Sequence, residues 1–193
     1  MKVVLASKSP RRSELLAGQG VHFEVRPSLS EPLPPEGASP EEAVEFISRG
    51  KAMGVPRSPG EIVIAADTLV YIDGTLLGKP HSPQEASQML RRLSGRSHTV
   101  VTGFTVACDR GTITRCEATS VRFRSLTDRE IEAYVESGEP MDKAGAYGIQ
   151  GRAALFVEGI DGDYFNVMGL PLCSLFLALR DLGFEPEDLR KTD

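Results

Sequence analysis

EIVIAADTLVYIDGTLL, residues 61–77, carries the strongest fold signal in the chain. Its first part, Glu61–Ala66, is a nearly unbroken apolar run, the pattern of a strand covered on both faces. Asp67 follows directly, at the expected strand end, where α/β proteins place ligand groups. Leu69–Ile72 and Thr75–Leu77 then flank Asp73-Gly74, a hairpin signal. Further hairpins are expected for His98–Cys108 with Thr112–Arg124, and for Ala153–Ile160 with Asp163–Met168 around Asp161-Gly162. Lys2–Ala6 reads as a short buried strand running into a helix over Pro10–Ala17, with Ser9 as N-cap and Pro10 at the first helical position. Similar starts appear at Ser39-Pro40, where Glu42 completes a capping box, and at Ser82-Pro83. A fourth helix begins at Thr127–Glu130 and a fifth covers Cys173–Leu182. Helices interleaved with hairpins indicate α/β with a mixed central sheet, not a strictly alternating doubly wound one. No internal repeat is present, and Pro27–Pro40 is the one long irregular segment.

Composition bounds the function. The 193 residues carry 22 Lys+Arg against 27 Asp+Glu, a net charge of −5, which argues against bulk nucleic-acid binding. The 6% aromatic content, without Trp, offers little stacking platform for single strands. Three cysteines, Cys108, Cys116 and Cys173, form no CxxC pair and read as reduced, packed side chains. The longest apolar runs, Ile62–Ala66 and Leu175–Leu179, are too short to span a bilayer, and the start of the chain turns polar too early for a signal-peptide core. A cytoplasmic protein without membrane contact is expected.

The chemistry concentrates in a few places. Ser7-Lys8-Ser9-Pro10-Arg11-Arg12 joins a strand to a helix. Arginines in a first helical turn oppose the helix dipole, so an anion completing the site is the better fit than a solvated basic turn. Lys51 shares a helix face with Val44 and Ile47, which makes it either a snorkelling side chain or a positive charge facing a pocket. Asp67 is a turn residue or a functional carboxylate, and the buried strand before it favours function. GTLLGKP, residues 74–80, has the wrong spacing for a phosphate-binding P-loop, yet fixes Lys79 between Gly78 and Pro80. DKAGAYGIQG, residues 142–151, allows close backbone approach to a ligand, and Gln150 offers both donor and acceptor to a base edge. The three histidines lack metal-ligand spacing.

Together, SxSPRRxELL at 7–16, AADT at 65–68, GKP at 78–80, LSGRSH at 93–98, EPMDKAGAYGIQG at 139–151 and DGDYFNVMGLPL at 161–172 closely resemble the Maf family of nucleoside triphosphate pyrophosphatases. The resemblance runs from about residue 3 to 182. It implies a single domain over residues 1–193, with an elongated mixed central sheet, flanking helices and two lobes around a cleft, similar to the inosine triphosphatase architecture. It also implies cleavage of a nucleoside triphosphate to monophosphate and pyrophosphate with a divalent metal, Mg²⁺ or Mn²⁺. Asp67 matches the proton acceptor. Arg12, Lys51 and Lys79 match phosphate-binding positions, with Ser7 and Ser9 beside them. Arg11, Thr68 and Gln150 match positions linked to base choice, in the combination of the dTTP/UTP subgroup. The subgroup acting on a methylated guanine nucleotide differs there, with a bulky aromatic in place of Arg11 and an acid in place of Gln150. Many members carry adjacent acids after the first helix. Here Ser30-Glu31-Pro32 supplies Glu31 alone, the candidate metal ligand beside Asp67. The family's frequent dimers imply a homodimer. The competing readings are a nucleotide-binding regulator of cell division without turnover, and a house-cleaning enzyme for modified nucleotides.

Overall fold

The computed structural model describes residues 2–30 and 32–190. Among them, β1 (Lys2–Leu5) lies parallel to β2 (Phe23–Val25) and to β3 (Glu61–Ile72). β4 (Thr75–Leu77) folds back antiparallel on the end of β3, through a turn in which Asp73 and Gly74 both adopt positive φ. With β5 (Ser97–Cys108), β6 (Gly111–Phe123) and β7 (Val157–Asp161) the sheet order is β2-β1-β3-β5-β6-β7, β4 pairing with β3. Parallel and antiparallel pairs coexist, as expected for a mixed α/β sheet.

The helices are α1 (Pro10–Gly18), α2 (Pro40–Met53), α3 (Pro83–Leu93), α4 (Asp128–Glu136), α5 (Tyr164–Met168), α6 (Leu172–Asp181) and α7 (Pro186–Arg190). Side chains cap α2, α3 and α4: Ser39 closes a capping box with Glu42, Ser82 accepts from the Glu85 N–H, and Thr127 closes a box with Glu130. At α1 the Ser9 side chain makes no such bond.

The chain divides into two compact units, Met1–Asp67, Thr102–Glu117 and Gly169–Asp193 in one, Thr68–Val101 and Ala118–Met168 in the other. In the first unit α2 lies against the sheet, with Ala52 and Val55 packed among Val4, Val63 and Ala65. Gly103 permits this approach, since a Cβ there would stand 2.5 Å from the Val44 backbone. Beside it the buried Ser48 hydroxyl meets the Thr105 hydroxyl at 3.0 Å. In the second unit Leu90 and Leu93 of α3 and Ile131 and Tyr134 of α4 enclose a core with Phe123, Tyr147 and Phe156.

Several expectations need correction. β3 is one continuous strand, so Asp67 lies within it, between the part paired with β1, which ends at Ile64, and the part paired with β4, which begins at Val70. The expected hairpin at Asp161-Gly162 does not form. Asp163 Oδ1 accepts from the Phe165 N–H at 2.7 Å and Thr119 Oγ1 binds both the N–H and the carbonyl of Asp163, which turns Tyr164–Met168 into α5. Arg152–Phe156 is a 3₁₀ turn, leaving only Val157–Asp161 extended. Cys108 is buried in β5, whereas Cys173 on α6 is exposed instead of packed. No helix among the described residues is long and apolar enough to cross a membrane.

Candidate active site

In the first unit, β1 delivers the chain to Ser7, whose buried hydroxyl accepts from the Ser9 N–H and from Arg12 Nη1, each at 3.2 Å. Arg12 Nε donates to the Gly169 carbonyl at 2.8 Å, so α1 presents this guanidinium in a fixed orientation. Burial, with the neighbouring charge of Arg11, pushes the Arg12 pKa down to about 10, and the charge of Asp67 opposes that shift. At neutral pH Arg12 is still a cation, held with less hydration than it prefers.

Lys51 reaches Asp67 from α2, Nζ donating to Oδ1 at 2.7 Å with both side chains largely buried. Lys51 thus turns its ammonium to the Asp67 carboxylate and away from open solvent. Asp67 takes Lys51 on one oxygen and feels the field of Arg12. Two cations thus converge on Asp67, and the charge of Arg11 stands beside them. Positive charge gathers here in a chain whose net charge is −5. Such a gathering, near a helix start whose N-cap side chain makes no capping bond, is suited to a polyanion.

In the second unit, Thr68 is half-buried on β3 and Lys79 is exposed in the turn after β4. The Gly78 carbonyl accepts from the Gly145 N–H at 3.0 Å, which ties the Lys79 turn to the glycine-rich loop. Gly145 and Ala146 take positive φ there, and a Cβ on Gly145 would press against Val70 at 3.0 Å. Gln150 is exposed on a four-residue turn closed by the Gly151 N–H on the Gly148 carbonyl at 3.0 Å.

The Maf-like protein family model matches residues 2–182. The chain belongs to the Maf family. Among curated relatives, the dTTP/UTP pyrophosphatase of Moorella thermoacetica is 53% identical over 188 residues, covering 95% of this chain and 96% of its own. That of Bacillus pumilus is 46% identical over 186 residues, covering 96% of this chain and 98% of its own. Among solved structures, a HAM1 protein from Coxiella burnetii covers 94% of this chain and 99% of its own, at 16% identity and a TM-score of 0.49.

The metal implied by membership finds a limited donor set. Among the described residues no three His, Cys, Asp or Glu side chains gather to hold an ion. Glu31 lies outside the described residues. Lys51 donates to Oδ1 of Asp67, and a carboxylate of this kind is a fitting ligand for a hard cation. One carboxylate suits Mg²⁺, which keeps waters and substrate phosphates as ligands and needs no all-protein cage.

Three site features have no role assigned from sequence: the Gly169 carbonyl that orients Arg12, the Gly103 approach beneath α2, and the Tyr134–Glu139 contact described below. Glu139 stands inside a quoted motif. Its placement one residue after Gly138, with glycines at 148 and 151, is the signal that could have found it.

Proposed function

We propose that this chain hydrolyses nucleoside triphosphates, dTTP and UTP foremost, to the monophosphate and pyrophosphate. The observation that carries this reading is the gathering of Arg11, Arg12 and Lys51 at the Asp67 carboxylate. The relatives' names supply the substrate class and support the pyrimidine preference.

Arg12 and Lys51, with Ser7 and Ser9, bind the phosphates, and Lys79 is assigned the same role. Arrival of a phosphate competes for the Lys51 ammonium and releases Oδ1 of Asp67. Asp67 then takes a proton from the water whose oxygen attacks the α-phosphorus. The bond to the bridging α–β oxygen breaks, and pyrophosphate leaves with the electron pair. A divalent cation, Mg²⁺ or Mn²⁺, would be held by Asp67 with Glu31 as second ligand, and supplies neutralisation of phosphate charge. Arg11, Thr68 and Gln150 select the base. The family match across both units supports one functional domain over residues 1–193. A cytoplasmic homodimer completes the reading, and light scattering at working concentration checks the dimer.

Pyrophosphate release from a panel of nucleoside triphosphates with Mg²⁺ or Mn²⁺ tests the proposal. Highest kcat/KM for dTTP and UTP is the expected result. Tight binding without release would replace it with a nucleotide-binding regulator, and a modified nucleotide as best substrate with a house-cleaning enzyme.

A further inference from the structure

Gln150 sits at the third position of the turn Gly148–Gly151, and the start of that turn and the residue after it are fastened to two linked side chains. The Gly148 N–H donates to Tyr134 Oη at 3.2 Å, and Tyr134 Oη donates to Glu139 Oε1 at 3.0 Å. The second carboxylate oxygen, Glu139 Oε2, accepts from the Arg152 N–H at 3.1 Å. A continuous chain of hydrogen bonds therefore runs from the start of the turn to the residue just after it, without passing through Gln150.

The staple is itself held. The Tyr134 ring packs edge-on against Phe156 at 5.1 Å, and its burial raises the phenol pKa well above the ordinary value, so it stays a donor. Lys143 Nζ donates to the Glu139 carbonyl at 2.6 Å. The fit against the turn leaves no slack: a Cβ on Gly151 would lie 2.0 Å from Glu139 Oε1, and one on Gly148 would lie 2.7 Å from Lys143 Cε. Tyr134 is only 3% exposed, so its effect on a ligand has to pass through the turn.

We propose that Tyr134 and Glu139 are positioning residues for substrate choice: they hold the Gly148–Gly151 turn so that the Gln150 amide is presented to the base in one place. The role rests on Gln150 reading the base. Thymine and uracil offer an N–H beside a carbonyl, and cytosine offers the reverse pattern, so an amide on a loosened turn adapts to either. Loss of the staple therefore relaxes discrimination without touching the hydrolytic step.

The experiment measures kcat and KM for dTTP and dCTP in the full chain and in Tyr134→Phe, Glu139→Ala, Glu139→Gln, Gln150→Ala and the Tyr134→Phe/Gln150→Ala double variant. Folding is checked by circular dichroism and melting. Tyr134→Phe keeps the ring against Phe156, and decides the outcome if Glu139→Ala does not fold. The expected result is a fall of about tenfold in the dTTP/dCTP ratio of kcat/KM for Tyr134→Phe, carried by the KM for dTTP. Glu139→Ala behaves alike, Glu139→Gln recovers most of the ratio, and Tyr134→Phe adds nothing to Gln150→Ala. Equal loss on both substrates, or full additivity with Gln150→Ala, would overturn the positioning role while leaving the proposed activity standing. An unchanged ratio in Gln150→Ala removes both the base-reading assignment and the positioning role. A chain that releases pyrophosphate from no nucleotide removes the proposed function itself.

Discussion

The Ser7–Arg12 segment and the Gly148–Gly151 turn are both short backbone features that present a polar side chain, yet they are built on opposite terms. Around Arg12, positive charges crowd together and burial strips the guanidinium of hydration. Around Gln150, the Gly148 and Arg152 N–H groups are both accepted, by Tyr134 and Glu139, and the glycines leave no space unused. The first region gathers several cationic groups around one carboxylate. The second is satisfied beforehand and needs no further ordering when a ligand arrives. Chemistry on a polyanion needs the former; choosing between similar bases needs the latter.

The largest expected effect comes from removing the negative charge at the centre of the cationic region. Asp67→Asn keeps the shape, loses the proton acceptor and should cost at least about a hundredfold in kcat. It also takes away the ion pair of Lys51 and the charge that offsets the burial of Arg12. The variant should therefore melt below the parent and regain more stability from added pyrophosphate than the parent does. Turnover assays and melting curves with and without pyrophosphate check both. A variant with parental turnover would end the base assignment, and one indifferent to pyrophosphate would end the assignment of this region to phosphate binding.

A pair of glycine substitutions sharpens the contrast at smaller magnitude. In Gly103→Ala the new Cβ meets the Val44 backbone at 2.5 Å, displacing α2 and drawing Lys51 away from Asp67. Overpacking of this kind costs about 1–3 kcal/mol in stability. It should lower kcat/KM roughly equally for every nucleotide, since phosphate handling is common to all. In Gly151→Ala the Cβ falls 2.0 Å from Glu139 Oε1, which pushes the staple apart. That variant should alter the dTTP/dCTP ratio with a smaller effect on kcat. Steady-state kinetics on both substrates separates the two patterns, and the same pattern in both variants would erase the distinction between the regions.

The cationic region is more legible in the sequence than the stapled turn, for a physical reason. Ser9-Pro10 followed by Arg11-Arg12 breaks the local charge rule for helix starts, and the spacing of Val44, Ile47 and Lys51 already puts the lysine on the inner face of α2. Such violations are local and can be read residue by residue. The caps at Ser39, Ser82 and Thr127 are legible in the same way. The Tyr134–Glu139–Gly148 network joins residues up to 14 apart through a phenol that reads, in sequence, as one more apolar position on α4. Asp163–Met168 reads as a strand and folds as a helix, because a side-chain cap at Asp163 and the distant Thr119 override the local pattern. Short β2, with two half-covered residues and an exposed Val25, has no periodicity to detect. The placement of Lys79 and Gln150 depends on tertiary contacts of this longer-range kind.

The smallest effect is on stability and distinguishes the regions by pH. His98 lies in the second unit, 3% exposed, with Nε2 at 2.8 Å from the Tyr147 hydroxyl and its ring edge-on to Phe123. Nδ1 has no hydrogen-bond partner among the described residues, so protonation would place an unsolvated charge in the aromatic core. Burial accordingly pushes the pKa down from 6.5 to about 4. Above pH 6.5 the folded and unfolded chains both carry neutral imidazole and His98 contributes no pH dependence. Between 6.5 and 4 the unfolded chain takes up a proton that the folded chain refuses, so stability falls with acid, by about 2 kcal/mol at pH 5. The carboxyls of Glu61 and Glu130, held near 2 chiefly by Arg26 and Arg124, lose their contribution only below their ordinary 4.5, which leaves the higher window to His98. His98→Gln keeps a polar contact to Tyr147 and removes the titration. Urea midpoints at pH 7 and pH 5 should therefore converge in the variant and differ in the parent. Amide exchange, corrected for its intrinsic pH dependence, should rise at residues 147–152 before it rises at 2–6 as the parent is acidified. Equal shifts in parent and variant would show that His98 does not control the acid response, and simultaneous opening of both segments would show that the two regions do not come apart.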